Sequence, residues 1–225
     1  MEILSSKIPE GWRNNLEGQR QFVEENGVVL LTEKEVETIT LSVVLLPSLD
    51  DRKTINEKMR DALPERLNEY VVWQPWEGYH FSVQWVLKEN LKGMDLETLV
   101  DSIKSSLNTE DAIKGKMIYP LLGKKNLFGI FNAENANHLV NMRNKLGSIW
   151  QEQDWKIGIP EGAYGLAWMS LVRFKKEIPD DLIRELMDLK PITSDLTVDT
   201  VRVSINDEFL TPNKTKVLGE IDLVK

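Results

Sequence analysis

The residues best suited to chemistry in this chain are His80 and Ser82, within Gly78-Tyr79-His80-Phe81-Ser82-Val83-Gln84-Trp85. Side chains two apart on a strand point to the same side. The spacing predicts His80, Ser82 and Gln84 on a polar face, and Phe81, Val83 and Trp85 on an apolar one, with Trp85 in the core. An imidazole titrates near pH 6.5, so it can take or return a proton near neutrality. A hydroxyl two residues along the same face can donate to an oxygen of the group that the imidazole serves. A partial echo stands downstream at Gly165-Leu166-Ala167-Trp168-Met169-Ser170-Leu171-Val172-Arg173-Phe174. There Trp168, Ser170 and Val172 share a face. The serine recurs in register, but a tryptophan stands where a second histidine would be. An indole N–H only donates and shuttles no proton. Trp168 can hydrogen-bond or stack on a ligand, and it can equally be a large ring that fills space. By strand parity Arg173 faces away from Ser170 and reads as a packing or strand-end residue.

Other candidates are fewer. His138, the remaining histidine, reads as a helix-surface or boundary residue. Tyr79 and Tyr164 are candidates for a cleft rim. Trp73 and Trp76 suit either stacking platforms or ordinary core. With two histidines and no cysteine, a histidine-rich zinc site is not expected, and no acidic cluster suggests magnesium. No glycine-rich nucleotide loop, dinucleotide fingerprint or serine-hydrolase elbow occurs. No cofactor and no metal are expected.

The elements that must position these residues follow from hydrophobic period. Thr38 to Leu46, Tyr70 to Gln74 and Tyr79 to Leu87 read as strands. A helix from Asp50 carries Ile55, Met59, Leu63 and Leu67 at helical spacing, and Leu96 to Leu107 is an amphipathic helix. Lys116 to Leu122 and Asn126 to Asn132 form a hairpin. A helix from Ala133 to about Trp150 follows, with Leu139, Met142, Leu146 and Ile149 on one side. After a loop through Gly158, Pro160 and Gly162 come the Trp168 strand and a helix opened by Pro179 and Asp180. Two strands, Leu196 to Ile205 and Lys216 to Val224, close the chain. Met1 to about Glu35 reads as an N-terminal extension, with a short helix at Gln19 to Glu25 and a short strand at Val28 to Leu31. Residues 36–225 form the domain. This order predicts an α+β fold: two antiparallel sheets with helices on their outer faces, in two lobes that meet along their polar faces.

Composition bounds the partners. The 225 residues are 41% hydrophobic and 28% charged, with a formal net charge of −8. That balance argues against duplex DNA, whose phosphates need clustered Lys and Arg. Lys114, Lys116, Lys124 and Lys125 make either a small basic patch or the lysine guard of a solvated hairpin edge. There is no signal-peptide core and no apolar run long enough for a bilayer. Absence of cysteine suits a reducing compartment, and the chain is read as cytoplasmic.

The two motif strands resemble those of the two-histidine phosphoesterase superfamily, which includes RNA 2′,5′-ligase-like proteins and cyclic-nucleotide phosphodiesterases. His80-Phe81-Ser82 matches the first His-x-Ser/Thr motif of that family. Trp168-Met169-Ser170, followed by Leu171-Val172-Arg173-Phe174, occupies the place of the second. The resemblance covers roughly Thr38 to Lys225. It implies a central cleft between pseudo-symmetric lobes and metal-free phosphodiester cleavage. One histidine removes a proton, the other protonates the leaving oxygen, and the two hydroxyls hold phosphate oxygens. His80 is then the catalytic candidate, and Ser82, Trp168 and Ser170 are the substrate-binding ones. The implied ligand is a nucleotide, cyclic phosphate or RNA end. Two functions remain open: a phosphodiesterase of 2′,3′-cyclic phosphates or RNA ends working with a single histidine, and a non-catalytic binding, regulatory or interaction module on the same fold.

Overall fold

The structure, a computed structural model, describes residues 10–87, 91–152, 166–207 and 211–224. Eight strands and six α-helices are assigned among them. In chain order these are α1 (Glu10–Asn26), α2 (Glu33–Glu37), β1 (Ile39–Pro47), α3 (Leu49–Ala62), β2 (Val71–Trp73), β3 (Phe81–Leu87), α4 (Leu96–Leu107), β4 (Ile113–Leu122), β5 (Asn126–Ala133), α5 (Ala136–Glu152), β6 (Leu166–Phe174), α6 (Asp180–Met187), β7 (Ile192–Asp207) and β8 (Lys216–Asp222). The fold is α+β and its strand ladders are antiparallel, as the alternation of short strands and helices implies.

Local signals place the helix starts. Ser48 caps α3 by accepting from the Asp51 N–H, and Asp95 caps α4 by accepting from Glu97 and Thr98. Thr32 and Glu35 form a reciprocal capping box on α2. Pro64 ends the helical run that Ile55, Met59, Leu63 and Leu67 suggest, so Leu67 lies on a 3₁₀ turn (Glu65–Glu69) yet stays buried. The N-terminal helix runs longer than the expected Gln19–Glu25. Val28 to Leu31 is not a strand. It is an extended segment whose Val29 and Leu31 amides donate to the Lys124 and Phe174 carbonyls.

The expected pair of sheets is one hydrogen-bonded path, β2-β6-β5-β4-β7-β1-β3, with β8 also on β7. The join is β7. Its first half pairs with β4 and its second half with β1, so a single 16-residue strand carries both halves. The hairpin β4–β5 is therefore interior rather than an edge. Three of its four lysines are engaged: Lys116 pairs with Asp195 and Lys125 with Glu35, each at 2.8 Å, while Lys124 lies over the Phe22 ring.

One face of the sheet carries the main core. Leu41, Val43 and Leu45 of β1, Phe81 and Val83 of β3, Val201 and Val203 of β7 and Phe131 of β5 join α3, α4 and α5 there. Phe81 and Phe131 stack at 4.9 Å between ring centroids, so the core runs across both halves. The other face is different. It is polar around β1 and β3. At β4, β5 and β6 it carries a smaller apolar cluster of Ile118, Leu121, Phe128, Ile130 and Leu166, closed by Leu16 of α1. Among the described residues, no helix is long and apolar enough to cross a membrane.

Candidate functional site

The expected strand from Tyr79 begins only at Phe81, so His80 stands just before β3, and β3 does not keep its parity. Val44 of β1 faces Ser82 and Val43 faces Gln84, so Val83 is the extra residue of a β-bulge. His80 and Ser82 remain on the open face. Beyond the bulge the alternation reverses. Trp85, expected in the core, turns to the open face, where it is 37% exposed. Gln84, expected beside Ser82, is buried on the helix side. There its Nε2 donates to the Arg143 carbonyl and its Oε1 accepts from Trp150 Nε1.

The echo strand bulges at the same place. Phe128 faces Ser170 and Leu127 faces Val172, which makes Leu171 the extra residue. The register thus pairs Arg173 with Asn126 on the Ser170 side, correcting the expectation that it faces away. Arg173 is half-buried, which lowers its pKa, and the nearby Glu35 carboxylate opposes that shift.

A bulge frees a carbonyl, and each freed carbonyl is met. On β3, the almost fully buried Arg143 of α5 donates from Nε to Val83 O at 3.2 Å and from Nη2 to Ser82 O at 3.4 Å. On β6, Leu171 O accepts the Gln74 N–H at 3.1 Å.

The sheet brings β3 and β6 close without pairing them. Between them lies a cavity of about 170 Å³, lined by His80, Ser82, Trp85 and Leu87 of the first motif segment, Trp168 and Ser170 of the second, and Thr38, Thr40, Ser42 and Asn206. The four site residues expected from sequence, 88 residues apart from 80 to 168, therefore line one cavity. A larger groove of about 620 Å³ lies at α1 and α6, but its polar lining is mainly Glu24, Glu25, Glu177 and Asp180, with no histidine. The chemistry-bearing side chains are in the smaller space.

His80 is 8% exposed. Its Nδ1 lies 2.8 Å from Gly78 O, which can only accept, so Nδ1 carries the proton and Nε2 keeps its lone pair. Burial lowers the His80 pKa to about 4. The Gly78 hydrogen bond opposes this, while the charges of Arg52 and Arg202 add to it. At neutral pH His80 is an uncharged acceptor. Around it, Thr40 and Ser42 share a hydroxyl hydrogen bond of 2.9 Å, and Ser204 holds Asn206 Oδ1 at 3.0 Å. Ser170 Oγ accepts from Asn126 Nδ2 at 2.9 Å, leaving its own O–H to donate. Among the described residues, no Lys or Arg lines the cavity.

Trp168 is half-buried. It packs against the apolar cluster that Leu16 closes, and it lines the cavity as well. Tyr79 is not a rim residue: it is fully buried in the main core, where desolvation raises its pKa, and its hydroxyl reaches toward Asn56. Tyr164 and the glycine-proline loop before it lie outside the described residues. Trp73 is held away from the cavity, its N–H on Asn68 and the Arg60 guanidinium over its ring at 4.2 Å. Trp76 packs on the main core and His138 is half-buried on α5, neither lining the cavity. Among the described residues no group of three or more His, Cys, Asp or Glu side chains is placed to hold a metal.

Several site residues had only faint sequence signals. Thr40 and Ser42 are polar interruptions of an otherwise apolar strand, and Asn206 ends a similar one. Arg143 falls on the Leu139–Met142–Leu146 stripe, a buried position by helical period, which marks it as a structural arginine.

No protein-family model and no curated protein sequence matches the chain. Solved structures do. E. coli LigT complexed with 3′-AMP superposes with a TM-score of 0.57 at 10% identity, over 84% of this chain and 100% of that one. A structure described as a phosphoesterase gives 0.54 at 9% identity, over 84% and 100% of the two chains. A protein of Thermus thermophilus gives 0.52 at 16% identity, over 82% and 97%. The chain thus has the fold of the two-histidine phosphoesterases, the class that its motif strands suggest. At these identities the shared property is the fold.

Proposed function

We propose that the chain binds a ribose-phosphate group (a nucleotide, cyclic phosphate or RNA end) between β3 and β6, and retains half of a phosphodiesterase's proton-transfer machinery. The observation that supports this reading is the convergence of His80, Ser82, Trp168 and Ser170 on one cavity. LigT has been crystallised with 3′-AMP, NADP+, ATP and phosphate, which share a phosphate group. Ser82 and Ser170 donate to non-bridging phosphate oxygens. His80 Nε2 takes the proton of the attacking water as its oxygen bonds to phosphorus and the P–O bond to the leaving group breaks. Among the described residues no second imidazole lines the cavity, and loss of one general acid costs about 10²- to 10⁴-fold. The loss falls hardest on alkoxide departure, because an aryl oxide leaves without a proton. The N-terminal extension, residues 1–35, is read as an addition to a domain of residues 36–225, and its Leu16 is seated on the open face of β4 to β6.

A second reading, a non-catalytic binding module, draws on the Trp168 ring. The cavity it lines is about 170 Å³, below the roughly 300–1,000 Å³ of drug-sized ligand pockets, so it suits a phosphate better than a whole nucleotide.

The test compares the purified chain with His80→Ala on an aryl phosphodiester and on 2′,3′-cyclic nucleotides. Expected is aryl ester turnover that is lost in the variant, with the cyclic nucleotides far slower. Because the working form of His80 is neutral, the rate rises about twofold from pH 4 to 5 and then stays level to pH 8, with no descending limb from a general acid. Calorimetric binding without turnover selects the second reading. Absence of both overturns the two together.

A further inference from the structure

Gln74 follows β2 directly and is 2% exposed. Its backbone N–H donates to Leu171 O, the bulge carbonyl of β6, at 3.1 Å. Its side-chain Nε2 donates to Gly78 O, also at 3.1 Å. Gly78 O is the atom that receives the His80 Nδ1 proton at 2.8 Å. A carbonyl has two lone pairs, so one oxygen serves both donors. Gln74 Nε2 and His80 Nδ1 lie 3.5 Å apart; both carry hydrogen, so that approach is packing rather than a hydrogen bond. Turning the amide over would set Oε1 against Gly78 O, lone pair to lone pair. The amide orientation is thereby fixed, and Oε1 is left buried with no partner among the described residues.

We propose that Gln74 is a positioning residue that joins the two motif strands and holds His80 in the tautomer with Nε2 open as an acceptor. One end of the residue is bonded to the β6 bulge one residue from Ser170, and the other to the carbonyl that orients the imidazole. It touches no ligand and acts through His80. The β3 and β6 strands share no ladder, so this residue is a direct hydrogen-bonded link between the two motif segments. A buried polar group braced at both ends in this way fixes a geometry that packing alone leaves loose. The consequence for ligand affinity rests on the proposed ribose-phosphate function; the tautomer does not.

The experiment is ¹⁵N NMR of the imidazole nitrogens in the full chain without ligand, for wild type, Gln74→Leu and Gln74→Glu. Wild type is expected to show a protonated Nδ1 and an acceptor Nε2. Gln74→Leu removes the brace, and the His80 nitrogens should move toward the averaged shifts of two exchanging tautomers. Gln74→Glu puts a carboxylate beside the Nδ1 proton and should raise the His80 titration midpoint, against the lowering effect of Arg52 and Arg202. Unchanged His80 shifts in a variant that keeps dispersed amide spectra overturn the proposal. So does a wild-type His80 with its proton on Nε2, which needs no variant to fold. Calorimetry with a 2′,3′-cyclic nucleotide then reads the consequence, an affinity loss of about tenfold in Gln74→Leu. If wild type binds no such ligand while the NMR result holds, the functional reading fails and the role of Gln74 stands.

Discussion

The strands β3 and β6 are built alike in backbone and unlike in chemistry. Each sets a serine on the open face, bulges at the next residue, and returns a large side chain to that face two residues after the bulge: Trp85 on β3, Arg173 on β6. Their neighbours differ. Beside Ser82 and Trp85, β1 and β7 supply Thr40, Ser42, Ser204 and Asn206. Beside Trp168 and Ser170, β5 and β4 supply Ile130, Phe128 and Ile118, with Leu16 of α1 above them. Half of the cavity wall is polar and can orient a ligand; the other half is an apolar surface on which Trp168 lies. The duplicated backbone persists where the duplicated chemistry does not. Backbone register depends on the core face, which is apolar in both halves, and is indifferent to what stands on the open face.

The sharpest way to break this comparison is to exchange the residues that differ. His80→Ala should reduce turnover of an aryl phosphodiester by about 10²- to 10⁴-fold. Trp168→His should raise turnover of 2′,3′-cyclic nucleotides, because β6 already presents position 168 to the cavity. It also opens a void against Leu16 and Ile130, at about 2–4 kcal/mol of stability. If the variant folds and gains nothing, the two halves differ by more than one imidazole, and the apolar lining around position 168 is the next suspect.

The braces differ too, and here the effect is on stability. Arg143 supplies two hydrogen bonds to the β3 bulge from a side chain, whereas the β6 bulge is met by a backbone N–H that side-chain substitution cannot remove. Arg143→Met should leave the Ser82 and Val83 carbonyls unpaired under α5 and cost about 3 kcal/mol, read as a lower denaturant midpoint. Loss of α5 packing with an unmoved Trp85 environment would contradict the assignment of Arg143 to the bulge.

A third difference is titratable. On the cavity side a buried histidine, His80, stands immediately before β3, and β6 carries none. The folded-state pKa of His80, about 4, lies below the ordinary 6.5. Between those values the unfolded chain binds more protons than the native one, so the contribution is complete above about pH 6.5 and is lost as pH falls toward 4. The shift corresponds to about 3 kcal/mol. Denaturation from pH 4 to 8 should show that slope in wild type and its absence in His80→Phe, relative to the carboxylate background common to both.

What the sequence made legible was decided by periodicity. Leu96–Leu107, with its clear apolar repeat, is recovered to the residue, most other strands and helices have ends shifted by a few residues, and the four motif positions line one cavity. The errors cluster where one extra residue breaks the count of two. Val83 and Leu171 are apolar residues in apolar runs, and nothing in their type marks them as bulges. Parity therefore sent Trp85 to the core and Arg173 away from Ser170. The same blindness hid the single sheet: joining two halves through β7 depends on which edges meet, a long-range property that no local pattern encodes. Arg143 and Gln74 were missed because their roles follow from the bulges.

The smallest difference concerns the two serines. Ser170 Oγ accepts from Asn126 Nδ2 at 2.9 Å, and the β1 positions facing Ser82 and Trp85 are Val44 and Ser42, with no amide among them. Asn126 occupies the acceptor side of the Ser170 hydroxyl and so aims its proton at the cavity. Asn126→Ala should cost about 1 kcal/mol in stability, the net value of one such hydrogen bond. It should weaken phosphate-group binding a few-fold, because the hydroxyl must then be ordered by the ligand itself. Ser170→Ala measured in both backgrounds closes a double-mutant cycle. A coupling near zero would mean that Asn126 holds only the hairpin, and that Ser170 meets its ligand as unaided as Ser82 does.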